Sequence, residues 1–216
     1  ILFKHIDKEL FFKNSVDDII YIENERINSQ WTNLKHDIFN NKPIYIRGYG
    51  RDAKNPEYFA TLYKYLFENE NVVQDSTNNA QPSKLLKLNT DYCKVLKENK
   101  GNKLAIRNYQ ISHLFGRTKN PLLFNCAWNI AYVPKYLDPF TGHETQGDYS
   151  SELKNIMLLV LKEKFEWYIN DYNNIVESRI SSRIDQSLIA TKKELRLSKP
   201  EFSRFEIDAR SALSII

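Results

Sequence analysis

Length, composition and charge describe a globular chain that has no secreted or membrane character. Of its 216 residues, 42% are apolar and 13% aromatic, which excludes an intrinsically disordered protein. Two cysteines without a CxxC spacing exclude a disulfide framework and a cysteine-based zinc site, and no apolar run reaches the ~20 residues of a membrane span. We therefore expect a cytoplasmic protein without a membrane partner. The net charge of +4 is only weak evidence for nucleic acid.

The residue content favours an α+β fold with a mainly helical body. Six glycines and seven prolines are too few for an all-β barrel with many tight turns. The pattern predicts three regions. These are a mainly helical N-terminal region for recognition or dimerisation (1–100), a small central unit (101–149) and a C-terminal helical region (150–216).

Apolar periodicity predicts three helices in the N-terminal region, at 16–40, 56–73 and 85–99. A short β-branched segment at 43–46 predicts a strand. A polar segment at 74–83 predicts a loop and is the best candidate for a domain boundary.

The loop at 47–56 carries two glycines and follows the predicted strand directly. Arg47 and Arg51 make it basic, so it is a candidate for contact with DNA. Basic glycine loops are more often simply solvated, and that alternative stays open.

The central region has an unusual charge balance. Between 101 and 137 there is no Asp or Glu, and the five basic residues are Lys103, Arg107, Arg117, Lys119 and Lys135. A strand-like run at 103–115 contains His113, a loop follows at 116–121, and a second apolar run occupies 129–134. A short helix is predicted from 135 onwards. Beyond it, 150–178 predicts one long amphipathic helix, and 179–216 is charged and partly helical.

The central region contains, in this order, a strand, a His, a glycine-containing loop, an Asn, a second strand and a short helix. This order resembles that of the His-Me finger (ββα-metal, HNH) nucleases. Ile111-Ser112-His113 is similar to the first strand and its His, and Asn129-Ile130 is similar to the central Asn and the second strand. Asp138 stands nine residues after Asn129, where HNH sequences often carry the last polar ligand. His143, five residues further on, competes for that role.

The resemblance implies a ββα-metal finger with short antiparallel strands and a hydrolytic activity on phosphodiesters. In it, His113 activates water, Asn129 braces the loop, and Asp138 or His143 binds one divalent ion. Mg²⁺ is the expected ion, with Mn²⁺ as the alternative. Arg107, Arg117 and Lys119 are expected to neutralise phosphates. The chain has Ser112 where many members carry an acid or a second histidine, and it lacks their paired CxxC motifs.

Within that class we expect a type II restriction endonuclease that binds double-stranded DNA as a homodimer, by analogy of size and helical flanks. Two alternatives stay open: a non-catalytic nucleic-acid-binding protein, and an HNH toxin or homing-type nuclease. His113 and Asp138 each also have an interpretation that involves no catalysis. His113 is an isolated strand-end histidine, and Asp138 before Pro139 is a common helix stop.

Overall fold

A computed structural model of the protein describes residues 2–48, 55–94, 103–141 and 147–216. Its helices in the first half of the chain are α1 (Lys8–Asp17), α2 (Asn24–Phe39), α3 (Pro56–Leu66), α4 (Ala80–Asn89) and α5 (Pro121–Phe124). The second half contains α6 (Asp138–Thr141), α7 (Asp148–Lys164), α8 (Glu166–Ile175), α9 (Ile184–Glu194) and α10 (Lys199–Ala212). The strands are β1 (Ile44–Arg47), β2 (Val72–Asp75), β3 (Tyr92–Lys94), β4 (Leu104–Ile106), β5 (Tyr109–His113) and β6 (Ile130–Pro134). The predicted α+β class with a mostly helical body is confirmed.

The described strands pair two by two. β1 pairs with β2 in parallel and β3 pairs with β4 in parallel, whereas β5 and β6 form an antiparallel pair. The sequence predicted short antiparallel strands only for the central unit, where β5 and β6 do pair in that way; the two parallel pairs were not predicted. Parallel neighbouring strands need a long crossover connection, and no local sequence pattern indicates that two strands will pair in this way.

β6 lies between two hydrophobic clusters, and this fixes the β5–β6 hairpin in the body. Ile130 and Tyr132 belong to the large cluster, together with Trp31 and Trp128, whose rings meet edge to face at 5.7 Å. The alternate residues of the strand, Ala131 and Val133, belong to a smaller cluster with residues of α1 and α7. This alternation is what a strand buried on both faces requires. The large cluster draws its residues from all three predicted regions.

The first predicted helix, 16–40, is wrong at its start. The chain forms α1 before it and then becomes extended, so that α2 begins only at Asn24. The reason is a tertiary contact: Ile20 forms a β-bridge with Tyr132 of β6, with N···O distances of 3.0 Å in both directions. Backbone pairing to a buried strand overrides the helical periodicity of the isoleucines there.

Two further N-terminal predictions are wrong in their bounds. The helix predicted at 56–73 ends at Leu66, and β2 follows it. The helix predicted at 85–99 is α4, which begins at Ala80 because the buried carboxylate of Asp75 accepts N–H bonds from Ala80 and Gln81 at 3.2 and 2.7 Å. This cap places a helix start inside the segment predicted as a polar loop.

Two long elements of the sequence analysis are each divided. The run at 103–115 becomes β4 and β5, separated at Asn108, which has a φ of 59°. A positive φ at a non-glycine residue favours Asn and turns the chain. The helix predicted at 150–178 becomes α7 and α8, since Phe165 leaves helical geometry with its side chain buried.

Among the described helices, none combines the length and the apolar character needed to cross a bilayer.

Candidate functional site

The β5–β6 hairpin carries His113 at the last position of β5. His113 lies opposite Ile130, and Tyr109 at the other end of β5 lies opposite Pro134. The chain between the two strands contains α5 and returns to β6 through a single 3₁₀ turn that ends at Asn129. His113 and Asn129 therefore flank the same connection, on opposite sides.

Asn129 is fully buried and ties this connection together. Its Oδ1 accepts the N–H of Phe115 at 2.7 Å, and its Nδ2 donates to the carbonyls of Leu123 at 2.9 Å and Gly116 at 3.3 Å. Its own carbonyl accepts the N–H of Leu114 at 2.8 Å. Every polar atom of the amide is satisfied by loop backbone, so Asn129 sets the shape of the loop that follows His113. Its part in a nuclease site stays a prediction.

His113 is partly buried and held in one orientation. Its ring stacks on Phe124 with centroids 5.2 Å apart and an interplanar angle of 14°. Nε2 lies 3.1 Å from the carbonyl oxygen of Phe124. A carbonyl only accepts, so Nε2 must carry the proton and Nδ1 keeps the lone pair.

The environment favours the neutral imidazole. The pKa of His113 is lowered to about 4, mainly because the ring is buried. The charge of Arg47 lowers the pKa further, whereas the hydrogen bond to Phe124 and the charge of Asp75 raise it in part. With Nε2 protonated, Nδ1 holds the lone pair that a general base needs, but a pKa of about 4 makes it a weaker base than an ordinary histidine.

His113 lines a cleft of about 570 Å³ that also contains three of the predicted nucleic-acid contacts. These are Arg47 at the end of β1, and Arg117 and Lys119 in the loop after β5. Four residues selected from the sequence therefore share one cavity. Arg47 N–H donates to the Thr118 carbonyl at 3.4 Å, which joins the end of β1 to the loop after β5. The side-chain hydroxyl of Tyr63 donates to the Lys119 carbonyl at 2.6 Å, which joins the same loop to α3.

The cations of the cleft are positioned by the protein itself. Lys119 Nζ lies 3.1 Å from Asp208 of α10, and Arg117 donates to the carbonyl of Ser214. Asp208 is the acid that lines this cleft among the described residues. The cleft thus has a positive balance, which suits an anionic ligand.

A second cleft, of about 470 Å³, adjoins the first. The two share Ser112, His113, Arg117 and Thr141, and the second adds Lys154 and Lys162 of α7. His113 consequently stands at the junction of two basic clefts.

Sequence reasoning missed one wall of the first cleft, formed by 77–79 in the loop before α4. The amide of Asn78 accepts the Gly48 N–H at 3.0 Å. A Cβ on Gly48 would lie 3.0 Å from the Asp75 carbonyl and from Gln74 Cβ, so this close approach requires glycine. The sequence shows the glycine at position 48, but no sequence pattern identifies the segment that contacts it.

Four other predicted residues either lie apart from the cleft or fall outside the described part of the chain. Asp138 begins α6 and accepts a hydrogen bond from Gln110, three residues before His113 on β5. α6 then ends at Thr141, which does line both clefts. Arg107 is exposed and precedes β5, so it lies towards the other end of the hairpin. The predictions on Arg51 and His143 fall outside the described residues.

Within the described part of the chain, no three His, Cys, Asp or Glu side chains converge in a way that could hold a metal ion. Asp138 with Gln110 offers oxygen donors beside β5, where a hard ion would need water and substrate oxygens to complete its shell. Asp208 is already paired with Lys119. Asp138 lines neither cleft, so a divalent ion bound by it stays a prediction.

The chain belongs to the family described as uncharacterised protein PM1201, whose model matches residues 22–216. The protein of that name from Pasteurella multocida (strain Pm70) is 36% identical over 194 residues, which cover 88% of this chain and 84% of the relative. No solved structure matches the chain. The family match includes every residue of the two clefts.

Proposed function

We propose that this member of the PM1201 family is a metal-dependent endonuclease that hydrolyses phosphodiester bonds in double-stranded DNA. The observation that carries the proposal is the placement of His113. Its Nε2 is anchored to a backbone carbonyl, which leaves the lone pair on Nδ1, and the side chain lines a cleft together with Arg47, Arg117 and Lys119.

The residues of the cleft have separate roles in this reaction. Nδ1 of His113 takes a proton from the attacking water, and the bond from Nε2 to Phe124 keeps the ring in place and stabilises the imidazolium that forms. Arg117 and Lys119 bind the phosphates on either side of the reacting one. Asn129 acts through the loop, since its contacts determine where Phe115 and Gly116 lie.

Asp138 would hold the divalent ion, with His143 as the alternative ligand on the following segment. A Mg²⁺ or Mn²⁺ ion held there would supply charge neutralisation for the phosphate and the leaving oxygen. Gln110 orients the Asp138 carboxylate by donating to it. One carboxylate suffices for Mg²⁺, which keeps several waters and binds substrate oxygens.

A plasmid-cleavage assay tests the activity. The wild-type chain should nick or linearise supercoiled DNA with Mg²⁺ or Mn²⁺ and should be inactive in EDTA. His113→Ala should lower the rate by about 10²- to 10⁴-fold, the usual contribution of a general base. His36→Ala is the matched control, because the His36 side chain is 62% exposed on α2 and does not line either cleft.

Several outcomes would overturn parts of the proposal. Binding of DNA without cleavage under all divalent ions would leave a non-catalytic binding protein. Cleavage that survives His113→Ala would remove the role assigned to the hairpin.

Within this class, we assign the chain to the type II restriction enzymes, which act as homodimers on a short site. Digestion of a sequenced plasmid should give discrete fragments, and light scattering should give twice the mass of the chain. A smear of products would instead indicate an HNH toxin, and a single rare cut would indicate a homing-type enzyme.

A further inference from the structure

A second group of cations lies at the end of the β5–β6 hairpin that is remote from His113. Lys135 follows β6, and its N–H donates to the carbonyl of Asn108 at 2.7 Å. Lys94 ends β3 and lies opposite Ile106 of β4, so it is next to Arg107 along the sheet. Lys94, Arg107 and Lys135, the distal cluster, are all exposed. The ends of three short strands, β3, β4 and β6, therefore place three positive charges at one end of the hairpin.

Nothing in the described part of the chain neutralises these charges through an ion pair with any of the three. Two acids on neighbouring segments are engaged with neutral donors instead: Asp18 accepts from the Tyr136 hydroxyl at 2.6 Å, and Asp138 accepts from Gln110. The pKa of Lys94 is lowered by its partial burial and by the charge of Lys135. The fold thus keeps like charges together at an electrostatic cost, which a bound polyanion would offset.

The distance from the cleft sets the scale of that polyanion. β5 runs from Tyr109 to His113, and four residue steps at the usual rise of a strand span about 14 Å. Each strand of duplex DNA presents a phosphate about every 3.4 Å along its axis. A duplex seated at His113 therefore brings phosphates about four base pairs away level with the distal cluster.

We propose that Lys94, Arg107 and Lys135 form a second backbone-phosphate contact for double-stranded DNA, separate from the cleft at His113. This inference rests on the proposed function, because it takes the same duplex as the ligand. It also accounts for Arg107, which lies outside the cleft. Contacts to phosphates position a duplex without reading its sequence, so the distal cluster would align the DNA along the hairpin.

Salt-dependent binding tests the inference without any cleavage. The probe is an end-labelled 30-base-pair duplex of mixed sequence, with fluorescence anisotropy recorded in EDTA over a range of NaCl. The test variant is Lys94→Gln/Lys135→Gln, which removes two charges and keeps much of each side chain. The control variant, Lys193→Gln/Lys199→Gln, removes two charges from exposed positions on α9 and α10 that line neither cleft.

The expected result is specific to the distal cluster. Since each phosphate contact contributes about 0.9 to the slope of log K against log salt, the test variant should lower the magnitude of that slope by about 2. The control should leave it unchanged. An unchanged slope in the test variant, or an equal change in the control, would overturn the distal cluster alone. Failure of the wild-type chain to bind the duplex would overturn both this inference and the proposed function.

Discussion

The two ends of the β5–β6 hairpin are both basic, but the protein treats their charges differently. At the His113 end, Lys119 is paired with Asp208 at 3.1 Å and Arg117 is bound to the Ser214 carbonyl, so the cations are positioned before any ligand arrives. At the other end, Lys94 and Lys135 are exposed and have no ion-pair partner among the described residues. Prepositioned groups favour chemistry, because no reorganisation is needed at the moment of reaction. Loosely held charges favour non-specific attraction of a polyanion.

The loop at the His113 end of the hairpin should depend strongly on Asn129 for its stability. Asn129→Ala leaves the Phe115 N–H and the Leu123 and Gly116 carbonyls without their partner in a buried position. We expect a loss of about 3 kcal/mol in the free energy of unfolding, since buried unsatisfied groups each cost about 1–3 kcal/mol. Urea denaturation followed by circular dichroism measures it. Asn170→Ala, on the exposed face of α8, is the control and should change stability by less than about 0.5 kcal/mol.

The pH profile of cleavage should differ from that of an ordinary histidine base by about tenfold at pH 5.5. With a pKa near 4, His113 stays neutral at that pH, whereas a histidine of ordinary pKa ≈ 6.5 would be only about 10% neutral. We expect the rate to change less than about twofold between pH 7.5 and 5.5. A tenfold fall over that range would contradict the buried, neutral His113.

The same shift predicts how stability depends on pH. The folded-state pKa lies below the unfolded value of 6.5, so the unfolded chain takes up the proton first. The stability contributed by neutral His113 is fully present above pH 6.5 and is lost as the pH falls towards 4. In urea titrations at pH 7 and pH 5, His113→Ala should lose less stability on acidification than the wild-type chain does.

Lys119→Gln should weaken DNA binding by a smaller amount. The variant removes one phosphate contact, so the salt slope should fall by about 1. Lys193→Gln, on α9 and away from both clefts, is the control. If Lys119→Gln lowered cleavage and left the slope unchanged, Lys119 would act on the reaction and not on the duplex backbone.

In contrast to Lys119→Gln, Asp208→Asn should strengthen DNA binding slightly. Asp208→Asn releases Lys119 from an ion pair in which the Asp208 side chain is 50% exposed. Exposed pairs contribute about 0.2–1 kcal/mol, so DNA affinity should rise by no more than about fivefold. Weaker binding of the variant in the anisotropy assay would mean that Asp208 contributes to the site directly.

Local sequence pattern identifies the parts of the candidate site that are close together along the chain. His113 and Asn129 are separated by 15 residues, and two short apolar runs with a polar loop between them predict a hairpin that brings them onto one connection. The α+β class follows from composition and periodicity in the same way. The roles of these residues in catalysis are predictions that the experiments above address.

Residues that reach the cleft from distant segments could be identified only in the folded chain. Arg47 reaches the cleft because β1 pairs with β2, 28 residues later in the register of Ile44 with Val72, and Asp208 reaches it because α10 packs beside the loop that contains Lys119. Ile20 lies outside the helix predicted for it because it forms a bridge with Tyr132. The helix predicted at 150–178 is interrupted at Phe165. Short strands and buried ring contacts carry little local signal, since their stability comes from partners that only the folded chain supplies.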